Sequence, residues 1–269
     1  MSLDYDKFVL FGDSITQYGS NETRGYSIQP ALQELYVRKL DVLNRGFSGY
    51  NSRHGRIILP KIIEAENTKS TRVKLMTIFW GTNDAVETFQ HVDIKEYEQN
   101  IDFMIKLAKS NDIKVIVLGP ALHDDYTYTK RYEQGLVVFP DTAKNSVNGE
   151  YSEVAKKVAT QNCVPFVDLW TLFLEYGGWK NGIDPDLINA KDYPKIKELL
   201  VDGVHFNPQG YRIVFDGIQK AIKTYYPDLY YEKVPDHLPL WRSLIDKELD
   251  DEELEEFLLT SKLHQTVTK

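Results

Sequence analysis

The chain has 269 residues, and 32 lysines and arginines against 40 aspartates and glutamates give a net charge of −8. That balance argues against nucleic-acid binding, which needs clustered basic side chains, and a mixture of 42% apolar, 12% aromatic and 27% charged residues excludes a fibrous or disordered chain. The single cysteine, Cys163, cannot close an internal disulfide, the first residues carry acids where a secretory signal needs basic and apolar ones, and no apolar run approaches the roughly 20 residues that span a bilayer, so a cytoplasmic protein is expected.

Taken in chain order, short apolar runs alternate with stretches of helical periodicity. Phe8-Val9-Leu10-Phe11 reads as a buried strand closed by Gly12-Asp13-Ser14. A helix over 29–38, a weaker strand over 41–45 and a helix over 53–66 follow. Then come a strand over 73–80, a helix over 94–109, a strand over 114–118, a helix over 151–161 and a strand over 165–169. Asn207-Pro208-Gln209-Gly210 starts a last core helix that runs to about residue 225, with Pro208 suited to its first turn. The strand runs lack internal glycine and proline, which fits parallel strands buried on both faces. The alternation predicts a three-layer α/β/α sandwich around a mostly parallel sheet of about five strands, with ligands bound beyond the carboxyl ends of the strands.

Three segments break the rhythm. Residues 123–149 are polar and hold Tyr126, Tyr128 and Tyr132, which reads as a lid or insertion with an ordinary surface loop as the alternative. Residues 176–199 form a long excursion. Beyond Pro227 the chain turns Pro- and Tyr-rich, and residues 246–256 then hold eight acids and one lysine, so most of the net charge lies there. The division expected is a domain over 1–226 and an extension over 227–269 with an acidic helix, whose Leu254, Phe257 and Leu258 share one side and leave room for a homodimer.

Four loop motifs carry candidate chemistry: Gly12-Asp13-Ser14, Gly46-Phe47-Ser48-Gly49-Tyr50, Gly81-Thr82-Asn83-Asp84 and Asp202-Gly203-Val204-His205. A serine at the end of a strand is a nucleophile only with a base, and histidine, ionising near 6.5, is suited to that task. Asp202, three residues before His205, is placed to orient the imidazole. The N–H groups of Ser14 and Gly49 and the Asn83 amide are candidates to bind an oxyanion. Ser48 is a weaker nucleophile candidate, because Gly49 comes one residue too early for a Gly-x-Ser-x-Gly elbow.

Together the four blocks resemble the GDSL esterases and lipases, or SGNH hydrolases. Ser14 stands at the nucleophile position, Gly49 and Asn83 at the oxyanion glycine and asparagine, and Asp202 and His205 at the catalytic pair. The longer runs Phe8-Val9-Leu10-Phe11-Gly12-Asp13-Ser14-Ile15-Thr16, Arg45-Gly46-Phe47-Ser48-Gly49-Tyr50-Asn51-Ser52-Arg53 and Asp202-Gly203-Val204-His205-Phe206 resemble the isoamyl acetate-hydrolysing esterases in particular. The resemblance implies a flavodoxin-like sandwich that hydrolyses short acyl esters through a Ser-His-Asp triad and an acyl-enzyme, without metal or other cofactor. Its expected partner is a small uncharged ester. An acetylated sugar, a thioester or a lysophospholipid is the alternative substrate, and a silent binding module the alternative class.

Phe47, Tyr50, Trp80, Ala85 and Phe206 flank the blocks and are candidates to line the acyl or alcohol pocket, with core packing the other reading of Phe47 and Trp80. His123-Asp124-Asp125 looks superficially like metal ligands but lacks further carboxylates at a defined spacing. His54, His91, His237 and His264 show no partner at informative spacing and read as surface residues. Cys163 reads as a small buried residue.

Overall fold

Runs of Phe, Val, Leu and Ile without proline pair into one sheet in the computed structural model of the chain, which describes residues 4–179 and 182–260. The strands are β1 (Lys7–Gly12), β2 (Asp41–Gly46), β3 (Val73–Phe79), β4 (Lys114–Leu118) and β5 (Phe166–Val167). They lie in the order β2-β1-β3-β4-β5, all parallel. The helices are α1 (Ser14–Tyr18), α2 (Ile28–Leu35), α3 (Ser52–Glu66), α4 (Ile94–Ser110), α5 (Asp125–Glu133), α6 (Asn145–Gln161), α7 (Leu169–Gly177), α8 (Pro208–Tyr225) and α9 (Asp251–Thr260). The expectations for His264 and for the ends of the chain at 1–3 and 261–269 lie outside the described residues, as do Lys180 and Asn181 within the 176–199 excursion.

Alternation of side chains along each strand builds two cores. Phe8, Leu10, Leu75 and Ile116 face α2, α7 and α8, meeting Leu32, Phe173, Val214 and Ile218. Val9, Phe11, Met76 and Val117 face α3, α4 and α6, meeting Leu59, Ile101, Met104 and Ala155. The result is the three-layer α/β/α sandwich expected from the alternation. Among the described residues no helix is long and apolar enough to cross a membrane.

The register decides where chemistry is placed. Gly12 at the end of β1 is level with Gly46 on β2 and with Phe79 on β3. Three strand-to-helix loops therefore leave the sheet side by side, where the strand order reverses, which is where open α/β sheets bind ligands.

Several boundaries differ from the sequence expectation. β5 is two residues long, not five, because the Asp168 carboxylate accepts the Thr171 N–H at 3.0 Å and starts α7 instead. α6 begins at Asn145 rather than 151. α2 stops at Leu35, and Arg38 then takes φ +64°. Cys163 is exposed, not buried: at φ +54° it occupies the left-handed turn that ends α6, with its thiol facing out. His54 has a partner after all, since its Nδ1 accepts the Asn51 N–H at 3.1 Å as half of the capping box of α3.

Candidate active site

Ser14 is the first residue of α1, directly behind β1. The Asp13 carboxylate accepts the Ile15 N–H at 2.9 Å and thereby starts the helix one residue after the strand ends. Gly12 has to be a glycine, because a Cβ there would run into Thr16 Oγ1 and the Phe79 carbonyl. The turn carries Ser14, 5% exposed, to the carboxyl edge of the sheet. The first N–H groups of a helix lack intrahelical acceptors, and that of Ser14 is among them.

The loop after β2 is pinned at several points. Ser48 N–H donates to Gln17 Oε1 at 2.8 Å, and Gly49, at φ +80°, presents its carbonyl to Gln90 Nε2 at 2.8 Å. Asn83, from the loop after β3, donates through Nδ2 to the Tyr50 carbonyl at 2.7 Å. That bond ties the second and third motif loops together and fixes the amide of Asn83.

The fourth motif is a tight turn closed by the Val201 N–H to His205 carbonyl bond at 2.8 Å. Gly203 holds φ +98° there, and a Cβ would come within 2.8 Å of the Asp124 carbonyl oxygen. Asp202 Oδ1 accepts the backbone N–H groups of His205 at 2.9 Å and Val204 at 3.2 Å, and its Oδ2 lies 2.8 Å from His205 Nδ1. The other ring nitrogen, Nε2, lies 2.9 Å from Ser14 Oγ. Tyr18 meets the imidazole edge-on, 4.8 Å between centroids, and so limits its rotation. Burial pushes the Asp202 carboxyl up, but the side-chain bond to His205, that residue's charge and the two backbone N–H groups outweigh it and bring its pKa down to about 2. A carboxylate, an imidazole and a hydroxyl thus stand in one hydrogen-bonded line. In that arrangement the ring can take the hydroxyl proton while the carboxylate stabilises the resulting imidazolium.

Ser14, Gly49, Asn83 and His205 border one cavity of about 230 Å³. Asp202 stands behind the imidazole. The flanking candidates Phe47, Tyr50, Trp80, Ala85 and Phe206 do not line this cavity. Trp80 (0% exposed), Ala85 (3%) and Phe206 (1%) are core residues. Trp80 packs 5.0 Å from Phe11, and Phe206 lies among Phe79, Phe173 and Tyr211. Tyr50 lies outside, stacked on Phe47 at 5.6 Å. These candidates all lie in loops or just past the ends of strands, outside the strands themselves.

The rest of the wall comes from Ser48, from Thr82, Val86, Thr88 and Gln90 after β3, from Asn148 on α6, from Val204 in the fourth motif, and from the segment between β4 and α6, including His123, Tyr128, Val137, Phe139 and Asp141. That segment was legible only as a polar, tyrosine-bearing stretch. His123 Nε2 pairs with Asp141 at 2.7 Å, with both side chains largely buried, so the pair ties together the two ends of the segment between β4 and α6. Asp124 caps α5 through the Thr127 N–H at 3.3 Å and accepts the Ala190 N–H at 2.8 Å. Among the described residues no group of three or more His, Cys, Asp or Glu side chains is placed to hold a metal ion.

Comparison with known proteins places the chain among its relatives. Residues 10–213 match the model of the GDSL-like Lipase/Acylhydrolase family. The chain is 36% identical over 255 residues to the isoamyl acetate-hydrolyzing esterase of Saccharomyces cerevisiae, covering 91% of this chain and 97% of that one. It is 33% identical over 253 residues to the isoamyl acetate-hydrolyzing esterase 1 homolog of Homo sapiens, covering 91% and 90% of the two chains. Among solved structures, a lipase/acylhydrolase from Enterococcus faecalis superposes with a TM-score of 0.55 at 26% identity, covering 81% of this chain and 95% of that one. The chain belongs to the GDSL-like lipase/acylhydrolase family and is an ester hydrolase.

Proposed function

We propose that the protein is a serine esterase that hydrolyses short acyl esters, acetates such as isoamyl acetate among them, to an alcohol and a carboxylic acid. Ser14 Oγ attacks the ester carbonyl as His205 Nε2 takes its proton, and Asp202 holds the imidazole and balances its charge. The N–H groups of Ser14 and Gly49 and the Asn83 amide bind the tetrahedral oxyanion. His205 returns the proton to the departing alcohol, which leaves an acyl group on Ser14. Water, deprotonated by the same imidazole, then attacks the acyl-enzyme and releases the acid.

One observation carries this reading: the unbroken line Asp202–His205–Ser14, at 2.8 and 2.9 Å, opens on a cavity bordered by Gly49 and Asn83. The small cavity supports a short acyl group, since pockets for drug-sized ligands run to about 300–1,000 Å³. The Saccharomyces cerevisiae relative, an isoamyl acetate-hydrolyzing esterase, supports an acetate. The exposed free thiol of Cys163 suits a reducing, cytoplasmic setting. Ser14→Ala tests the assignment: kcat on 4-nitrophenyl acetate is expected to fall by about 10⁴-fold or more with an unchanged thermal midpoint. A variant that hydrolysed the ester like the unmodified protein would overturn it.

A further inference from the structure

Beyond the catalytic line, two separate segments that contribute to the cavity wall also bring together two exposed rings. The loop between β3 and α4 brings Phe89, and the segment between α5 and α6 brings Phe139. Their rings meet at 5.2 Å between centroids and 50° between planes, although the residues are 75% and 41% exposed. Phe139 also forms part of the cavity wall, beside Val137 and Pro140. Two large aromatics that face water and meet beside a cavity wall leave apolar surface for something else to cover.

Both supports of this contact are fixed. On one side, Gln90, next to Phe89, accepts Asn51 Nδ2–H at its carbonyl (2.7 Å) and donates through Nε2 to the Gly49 carbonyl (2.8 Å). On the other, Asp141, two residues after Phe139, pairs with His123 at 2.7 Å and accepts the Ala143 N–H at 3.0 Å. The reacting end of the cavity carries the polar side chains of Ser14, Asn83 and His205, and the same wall includes apolar Val86, Val137, Pro140 and Val204. Polar groups at the reacting serine beside an apolar wall and two exposed rings fit an ester whose carbonyl sits at Ser14 and whose hydrocarbon chain points toward Phe89 and Phe139. In an acetate the acyl part is one methyl group, so the chain long enough to reach the rings is the alcohol's.

We propose that Phe89 and Phe139 form an apolar clamp that covers the alcohol chain of the substrate and sets the preference for alcohol length; this rests on the acetate-ester reading above. A buried methylene is worth up to about fourfold in kcat/KM. The test uses methyl, butyl, isoamyl and hexyl acetate with the full chain and with Phe89→Ser, Phe139→Ser and Phe139→Leu. For the unmodified protein, kcat/KM is expected to climb with alcohol length. In each serine variant the hexyl-to-methyl ratio of kcat/KM is expected to fall about tenfold, through KM on the longer esters, and leucine at 139 is expected to restore most of it. A ratio unchanged in both serine variants, or all esters losing the same factor, would overturn the clamp. Inactivity of the unmodified protein on every acetate would overturn the acetate-ester reading, and the clamp with it.

Discussion

Asp13 and Asp84 each stand one position from a residue of the site and lie out of water, at 1% and 0% exposure. Asp84 accepts the Ser52 N–H with both oxygens, at 3.0 and 3.2 Å. Asp13 has only one oxygen engaged, and its Oδ2 has no partner among the described residues. Burial pushes both carboxyls up to about 7, and the charge of Asp84 adds to the rise at Asp13. An aspartate in the unfolded chain ionises near 3.9. Between about pH 4 and 7 the unfolded chain therefore binds fewer protons than the native one, and stability falls as pH rises through that window. Asp13→Asn keeps an oxygen for the Ile15 N–H and removes one of the two titrating groups. Thermal midpoints at pH 5 to 8 are expected to shift in favour of the variant as pH rises, by several degrees across the range. A difference that did not change with pH would show that Asp13 is ionised throughout.

The segment between β4 and α6 shows why some elements could not be read from the sequence. Its helix α5 buries no side chain and so has no apolar stripe to reveal it. The first turns of α6 bury Asn145 and Asn148, whose amides satisfy the carbonyls of His123 and Ala121 at 3.0 Å each, and polar residues on a buried face hide the helical period. β1, β3, β4, α4 and α8 were legible because their apolar spacing is regular. The four motif loops were legible because each needs residues few others could replace, such as Gly203 in its left-handed turn. The cavity wall was not, since it is assembled from residues far apart in sequence. Asp124 joins these levels, capping α5, holding Ala190 and donating its own N–H to the Gly203 carbonyl at 2.9 Å. Asp124→Ala leaves two N–H groups short of their acceptor. It is expected to cost about 2 kcal/mol or more in denaturant unfolding and to lower kcat by loosening the turn that carries His205. An unchanged unfolding midpoint would show that the cap is dispensable.

At the scale of the whole molecule, the register of β2, β1 and β3 brings three loops to one edge, and the fourth motif arrives just ahead of α8. The chain then returns along the outside. Tyr36 Oη donates to the Leu229 carbonyl, and Lys39 Nζ to those of Tyr231 and Val234, each at 2.7 Å. Arg38 donates to Leu238 at 2.7 Å and Pro239 at 2.8 Å. Residues 227–239 thus form a strap on α2 and the turn that follows it, whereas the acidic residues 250–256 are mostly exposed. Chains ending at 226 and at 245 separate the two parts. The first is expected to lose several degrees of thermal stability, and the second to keep the unmodified midpoint and kcat/KM within about twofold. Equal losses would place the acidic segment in the folded core.

The most direct test of the mechanism is the covalent state of Ser14. Intact-protein and peptide mass spectrometry after reaction with a fluorophosphonate ester is expected to show one phosphonyl group per chain, located on Ser14, with acetate hydrolysis lost in proportion. Labelling of another residue with equal loss of activity, or full activity in a protein labelled at Ser14, would contradict it.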